Sequence, residues 1–346
     1  MKGRAILHGT LAGQRAAALM VDGRIEDLFL DPPAGIPRPG AIYRAKAGRP
    51  VKGLGGVFVE LGAAGRGFLR SARPPAPGRS CLVQVSAHAE PGKAPPVSDR
   101  LRLKGRLAIL TPGAAGANLS RGLRGHEVRA RLTALAGRAA EALPEACGLI
   151  LRSAAGAAEE DEIEAEIRVL GEHLAALGTE HAAPILLLDG PDAAERARRE
   201  WGAPGTADEP DAAFDAHGVI EALAALAGPV PLPGGAMMTV EATRALVAVD
   251  VNTGADTSPA AGLKANLAAI QALPRHLRLA GLGGQIVIDP APMPKPARDT
   301  LEQALKTAFR ADAVDTQPLG WTALGHYELR RKRARWPVPL AALAEA

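Results

Sequence analysis

Two short apolar runs, each closed by a carboxylate, limit what this chain can fold into more than any other feature. Leu246, Val247, Val249 and Val251 follow a strand pattern that ends at Asn252-Thr253-Gly254, a turn sequence. Gly283-Gly-Gln-Ile-Val-Ile-Asp-Pro290 is a second such run, closed by Asp289. Between them, Ser258-Pro259 reads as a helix start, and Leu263, Leu267 and Ile270 recur at helical spacing. Strand, helix, strand is a βαβ unit, and its crossover makes the two strands parallel. Asp250 and Asp289 are therefore predicted to emerge at one sheet edge as neighbours, with Asn252 on the same face as Asp250. Open α/β sheets collect ligands at that edge. A single aspartate there reads best as a structural cap of the following turn. Two brought together repel unless a cation lies between them. Hard oxygen donors with room for water favour Mg²⁺ or Mn²⁺ over zinc.

Composition sets wider bounds. A chain of 346 residues, 47% hydrophobic, can hold two or three domains with real cores. A net charge of +4 fits a polyanionic partner without demanding one. Cys81 and Cys147 lie far apart without a CxxC pair, so neither a disulfide scaffold nor a zinc site is expected. The N-terminus lacks a signal-peptide core and no apolar run reaches membrane-spanning length, which predicts a soluble, cytoplasmic protein.

Residues 1–40 read as short strands with turns at Asp22-Gly23 and Pro32-Pro33, and 41–103 as a small β-barrel of short strands separated by glycines. In Gly56-Val-Phe-Val-Glu-Leu-Gly62 the aliphatics share one face, which puts Phe58 on the other. An exposed aromatic among Arg44, Lys46, Arg49, Lys52, Arg66 and Arg70 suits base stacking with phosphate neutralisation. Phe68 fits the surface and the core equally well. Further on, Gly148–Gly156 is a strand running into a turn, where Arg152, Ser153 and free backbone N–H groups suit a phosphate or simply a helix cap. The next helix has acidic residues at 159–162 in its first turn and Ile163, Ile167, Leu170 and Leu174 on one face. Pro184–Gly190 reads as a buried strand, 192–199 as a helix capped by Asp192, 202–215 as a loop and Asp299–Arg310 as a helix.

These motifs carry a family resemblance. Ala248-Val-Asp-Val-Asn-Thr-Gly254, Asn266-Leu267, Leu277–Asp289 and Leu324-Gly-His-Tyr-Glu-Leu-Arg-Arg-Lys-Arg333, in that order and spacing, resemble the catalytic half of the ribonuclease E/G family. The resemblance implies an α/β architecture with five parts. They are the first part of an RNase H-like domain (1–40), an inserted S1/OB-type barrel (41–103), a 5′-sensor-like region (104–180), the second RNase H-like part (181–235) and a shortened DNase I-like catalytic subdomain with a basic C-terminal segment (236–346). Phe58 and Phe68 match the family's RNA-contact positions in the barrel, and Lys93 falls near a third. Arg152-Ser153 is similar to its sensor for an RNA 5′-monophosphate, with Ser in place of the usual Thr. The family usually carries a further acidic residue where Pro292 stands. The chain stops at Ala346, without the family's Cys-Pro-x-Cys zinc link and dimerisation segment, so zinc is not expected, and neither a monomer nor a dimer built on other surfaces is excluded.

The leading expectation is a Mg²⁺-dependent endoribonuclease acting on single-stranded RNA. Asp250 and Asp289 would hold the metal, and Asn252 would orient a water or the phosphate. The basic run containing Arg330, Arg331 and Arg333, more often a solvated face, would here form a phosphate track. An RNA-binding protein with little activity is the alternative, motivated by Pro292 and the early stop. An actin-like phosphotransferase is the third, and it lacks the second Gly-rich loop that such chemistry needs.

Overall fold

Tight two-residue turns shape the start of the chain in the computed structural model, which describes residues 3–179, 182–202 and 213–345. β1 (Arg4–Leu11), β2 (Gln14–Val21) and β3 (Arg24–Leu30) form an antiparallel meander. Both turns hold two residues at positive φ, Ala12-Gly13 at 49° and 74° and Asp22-Gly23 at 49° and 78°. That geometry matches the twist of the flanking strands. Asp-Gly announces such a turn in sequence; Ala-Gly does not, because alanine rarely enters the left-handed region.

The chain divides into two units, Pro32–Pro204 and a second made of Met1–Asp31 with Gly205–Ala346. This division is coarser than the five segments expected, and it cuts within 181–235.

In the first unit, β4 (Ile42–Val51), β5 (Gly56–Glu60), β6 (Arg66–Arg70), β7 (Ser80–Val85) and β8 (Pro96–Ser98) run in the order β4-β5-β6-β8-β7, and β7 pairs back onto β4. The result is a closed five-stranded barrel of the expected S1/OB-like kind, filled by Tyr43, Val57, Val59, Leu69, Val83 and Val85. A second sheet follows, built from β9 (Leu103–Lys104), β10 (Ala108–Pro112), β11 (Gly116–Leu119) and β12 (Cys147–Leu151). Against it pack α1 (His126–Glu141) and α2 (Glu160–Leu177). α2 buries Ile163, Ile167 and Leu170 as its spacing predicts, and Leu177 beyond them.

β13 (Ile185–Leu188) corrects an expectation. It is an edge strand laid against β4 rather than a buried one, and Ile185 and Leu186 are 39% and 42% exposed. A short apolar run does not distinguish a core strand from an edge strand. α3 (Ala193–Trp201) starts where the cap predicts, with Asp192 Oδ1 accepting from the Glu195 N–H at 2.8 Å. Most of the loop expected over 202–215 lies outside the described residues; α4 (Ala213–Ala216) begins within it.

In the second unit, α5 (Val219–Ala224) packs with the β1–β3 meander. A six-stranded sheet then runs β14-β15-β16-β17-β19-β18. Its elements are β14 (Val230–Pro231), β15 (Met237–Ala242), β16 (Val247–Asn252), α6 (Ala261–Leu279), β17 (Gly284–Asp289), α7 (Ala297–Ala311), β18 (Thr316–Trp321) and β19 (Tyr327–Arg331), followed by α8 (Leu340–Ala344). Only β16 and β17 pair in parallel. α6 and α7 bury Ile270, Leu273, Leu277, Leu301, Leu305 and Phe309 in a core with Val249, Val251, Ile286 and Ile288. α6 starts two residues past Pro259, and the first half of its buried stripe is mostly small: Ala261, Gly262, Ala265 and Ala269. Leu263 and Leu267 only flank that stripe, because the small residues are the ones that let the helix lie close to the sheet. Among the described residues no helix is long and apolar enough to cross a membrane.

Candidate active site

The crossover through α6 does what the βαβ pattern requires. β16 and β17 run parallel with Asp250 directly opposite Asp289. Strands in a sheet lie about 4.8 Å apart, so the two carboxylates are neighbours, and both are exposed. Asn252 shares the face of Asp250 and donates its amide N–H to Asp250 Oδ2. His326 extends the row by one strand, with Nε2 3.7 Å from Asp289 Oδ1. Its place follows from the β17–β19 pairing, where Ile288 faces Tyr327. The motif containing His326 carries no sign of this role in the sequence, since its place beside Asp289 appears only once that antiparallel pairing is known. Among the described residues neither carboxylate takes an arginine or lysine partner.

The ground behind the pair is fixed. Asn266, 1% exposed, donates to the Ala291 carbonyl at 2.9 Å and accepts from the Ala291 N–H at 2.8 Å. A Cβ on Gly262 would stand 1.9 Å from the Pro292 carbonyl oxygen. The first turns of α6 thus press on and clamp the loop that leaves Asp289.

Among the described residues no three or more His, Cys, Asp or Glu side chains stand close enough to form a ready metal cage. Two adjacent exposed carboxylates fit a hard dication that keeps much of its water shell.

The basic run divides by strand alternation, which corrects the expected phosphate track. Arg330 stays exposed and donates to Gln317 Oε1. Arg331 turns inward: it is 2% exposed, donates to Thr316 Oγ1 at 2.7 Å and pairs with Asp312 at 3.1 Å. Burial lowers its pKa, and Asp312 opposes that shift. Arg333 donates to the Gly283 carbonyl at 2.7 Å. Arg335 is buried against the Phe29 ring, 3.9 Å from its centroid, and pairs with Asp27 at 2.8 Å. Of the run's named arginines, Arg330 alone is exposed.

On the barrel, Phe58 and Phe68 sit opposite each other in the β5–β6 ladder, edge to face at 5.2 Å. Both are half-buried on the outer wall, while Val57, Val59 and Leu69 fill the inside. Phe68 therefore belongs to the surface. Lys93 is exposed and pairs with Glu90 at 2.6 Å.

Arg152 is engaged internally, contrary to the open guanidinium expected. It donates to the carbonyls of Gly105, Arg106 and Arg199 at 2.6, 3.2 and 3.0 Å and pairs with Glu200 at 2.7 Å. Glu200 also bridges to Lys104 at 2.5 Å. Burial alone would raise the Glu200 pKa, but Lys104 and Arg152 together hold it below the usual carboxylate range. Ser153 Oγ lies 2.9 Å from Ser120 Oγ.

A closed barrel in one unit and an α/β sheet ending in paired carboxylates in the other define a two-unit protein with two separate candidate sites. The Ribonuclease E/G family model matches residues 102–206 and 203–334, and the chain belongs to that family. It is 29% identical to ribonuclease E of Nostoc sp. over 92% of this chain and 54% of that protein. Against ribonuclease E of Escherichia coli it is 26% identical, over 95% of this chain and 37% of the relative. Ribonuclease G of Escherichia coli is 37% identical over 131 residues, 35% of this chain and 26% of that protein. The chain spans about half, or less, of the length of these ribonuclease E relatives.

Proposed function

We propose that this protein is a Mg²⁺-dependent endoribonuclease that hydrolyses single-stranded RNA in RNA processing or decay. The observation that carries the reading is the in-register pair Asp250 and Asp289, exposed and without an arginine or lysine partner among the described residues. Membership of a family whose relatives are named ribonuclease E and ribonuclease G supports it. Mg²⁺, or Mn²⁺ in its place, would supply an activated water and neutralise charge on the scissile phosphate. Asp250 and Asp289 hold that ion, and Asn252 fixes the orientation of the Asp250 carboxylate. Cleavage leaves 5′-phosphate and 3′-hydroxyl ends.

The barrel contributes affinity. Phe58 and Phe68 offer faces for base stacking, and Lys93, with Arg66 and Arg70 on the neighbouring strand, offsets phosphate charge. Arg330 serves the same end on the sheet. A preference for a 5′-monophosphate works by exchange, the phosphate displacing Glu200 from Arg152 while Ser153 supplies a hydroxyl. In this reading the β1–β3 meander belongs to an RNase H-like part and the β14–β19 sheet to a DNase I-like part, in a cytoplasmic protein.

A second reading, an RNA-binding protein with weak catalysis, draws on Pro292 and on the lack of a third carboxylate at the pair among the described residues. A time course on a 5′-labelled oligoribonucleotide, with and without Mg²⁺ or Mn²⁺, separates the two. Tight binding with no cleavage under either ion would hand the case to the second.

A further inference from the structure

The sheet edge that carries Asp250 and Asp289 also holds a guanidinium that is fixed in place yet has no acid. Arg298 lies in the first turn of α7, just past the loop that leaves Asp289. Its Cζ stands 4.8 Å from the centroid of the Trp321 ring. Trp321 is in turn braced edge-on by the buried Tyr327, at 5.1 Å and 85°. Arg298 Nη2 is 3.0 Å from where a Cβ on Gly325 would stand, so the β18–β19 turn closes beside the guanidinium. The next residue is His326, which reaches Asp289.

Among the described residues the Arg298 side chain makes no ion pair and donates no hydrogen bond; what it meets is the Trp321 ring. Four other arginines of the unit differ. Arg275, Arg278, Arg331 and Arg333 each donate to a carbonyl or carboxylate. A guanidinium held on an aromatic face has lost much of its side-chain freedom before any ligand arrives, and its in-plane N–H groups stay free for a planar oxyanion. Leu324 in the same turn is 85% exposed, an apolar neighbour that suits a nucleoside better than an acidic peptide.

We propose that Arg298, stacked on Trp321, binds a backbone phosphate of RNA at the linkage next to the one that faces Asp250 and Asp289. The assignment rests on the proposed RNA site and names the residue that sets the strand's register there. An RNA strand reaching two carboxylates brings its own negative charge against them. A cation fixed to one side lowers that repulsion, and paired N–H···O bonds hold the phosphate in one place.

The test uses the full chain and an oligoribonucleotide with one cleavage site. A single methylphosphonate, with a 2′-methoxy group beside it, is walked along the linkages; matched phosphates with the same 2′-methoxy group serve as controls. Binding is read without divalent metal, and cleavage with it. In wild type, neutralising the linkage beside the cleaved one should weaken binding about tenfold. Arg298→Gln should weaken binding about tenfold to a hundredfold and lose sensitivity to that linkage alone. Arg298→Lys should recover part of the binding, since charge returns without the planar pair, and Trp321→Leu should move in the direction of Arg298→Gln. Melting temperatures are recorded for each. Unchanged binding by Arg298→Gln, undiminished sensitivity at that linkage, or a loss explained wholly by a lowered melting temperature would overturn the assignment. If wild type binds with the expected linkage pattern but never cuts, the endonuclease reading fails and the Arg298 assignment stands. If wild type cuts and Arg298→Gln matches it, the assignment fails alone.

Discussion

The acidic edge at Asp250 and Asp289 and the cluster around Arg152 handle charge in opposite ways. At Arg152 every charge has been answered from within: three carbonyls and Glu200 take the guanidinium, and Lys104 takes the other oxygen of Glu200. At the edge, two carboxylates face each other across a parallel ladder, answered among the described residues only by the Asn252 amide and a histidine at 3.7 Å. The difference teaches where an external ion would find its place. An internally satisfied cluster adds stability and must be opened to bind, whereas an unsatisfied pair is ready to bind and adds no stability.

The largest effect that tests this contrast is at the edge. Asp250→Asn or Asp289→Asn should nearly abolish Mg²⁺-dependent cleavage, while melting temperature without metal stays level or rises as repulsion is relieved. The double change should add little to either single one, because each empties the same place. A drop in stability comparable to a core mutation would mean that the edge is satisfied after all.

Unit interiors offer a third way to handle charge, which is to stay neutral. His276 is 2% exposed, and burial, with Arg275 beside it, pushes its pKa down to about 4. A depressed histidine favours the neutral form in the fold. Its contribution is therefore whole above the unfolded value near 6.5 and is lost as pH falls toward about 4, a loss of roughly 3 kcal/mol at most. Urea midpoints across that window should fall in wild type and fall less in His276→Leu; parallel curves would remove His276 from the explanation.

Arg152→Ala should cost about 2–4 kcal/mol, since it leaves three carbonyls without their donor and Glu200 with Lys104 alone of the two cations. A loss below 1 kcal/mol by chemical unfolding would show that the cluster is not closed. Phe58→Ala should weaken RNA binding by about 1–3 kcal/mol with little change in melting temperature, its ring lying outside the barrel core. Loss of stability with binding intact would return it to a structural role. Smallest is Glu200→Gln, which loosens the hold on Arg152. It should raise the cleavage preference for 5′-monophosphate over 5′-hydroxyl RNA a few-fold, about 1 kcal/mol. No change in that ratio would mean that Arg152 never leaves its internal partners.

What was legible in the sequence follows from how local each signal is. The βαβ unit, the outward Phe58, the Asp192 cap and the α2 face rest on periodicities within a few residues, and each was readable. Whether Arg331 faces in or out depends on Asp312 and on which side of the sheet the helices lie, which a run of like charges conceals. Arg152 looked available because its partners lie far along the chain: Gly105 and Arg106, and then Arg199 and Glu200. His326 and Arg298 take their meaning from the partners of a strand and a turn, which spacing alone does not give.

The pairing of Arg335 with Asp27 spans 308 positions of sequence. Synthesis at about 5–20 residues per second puts roughly 15–60 seconds between the emergence of the aspartate and that of the arginine that neutralises it. During that time the meander's charged corner lacks its nearest cation, Arg278 standing farther from Asp27 at 3.7 Å. The Pro32–Pro204 unit, wholly contained between them, is free to finish first. Of the two units, the one bearing the acidic edge thus completes later on the ribosome, and a nascent chain can acquire its barrel well before it can pair Asp250 with Asp289.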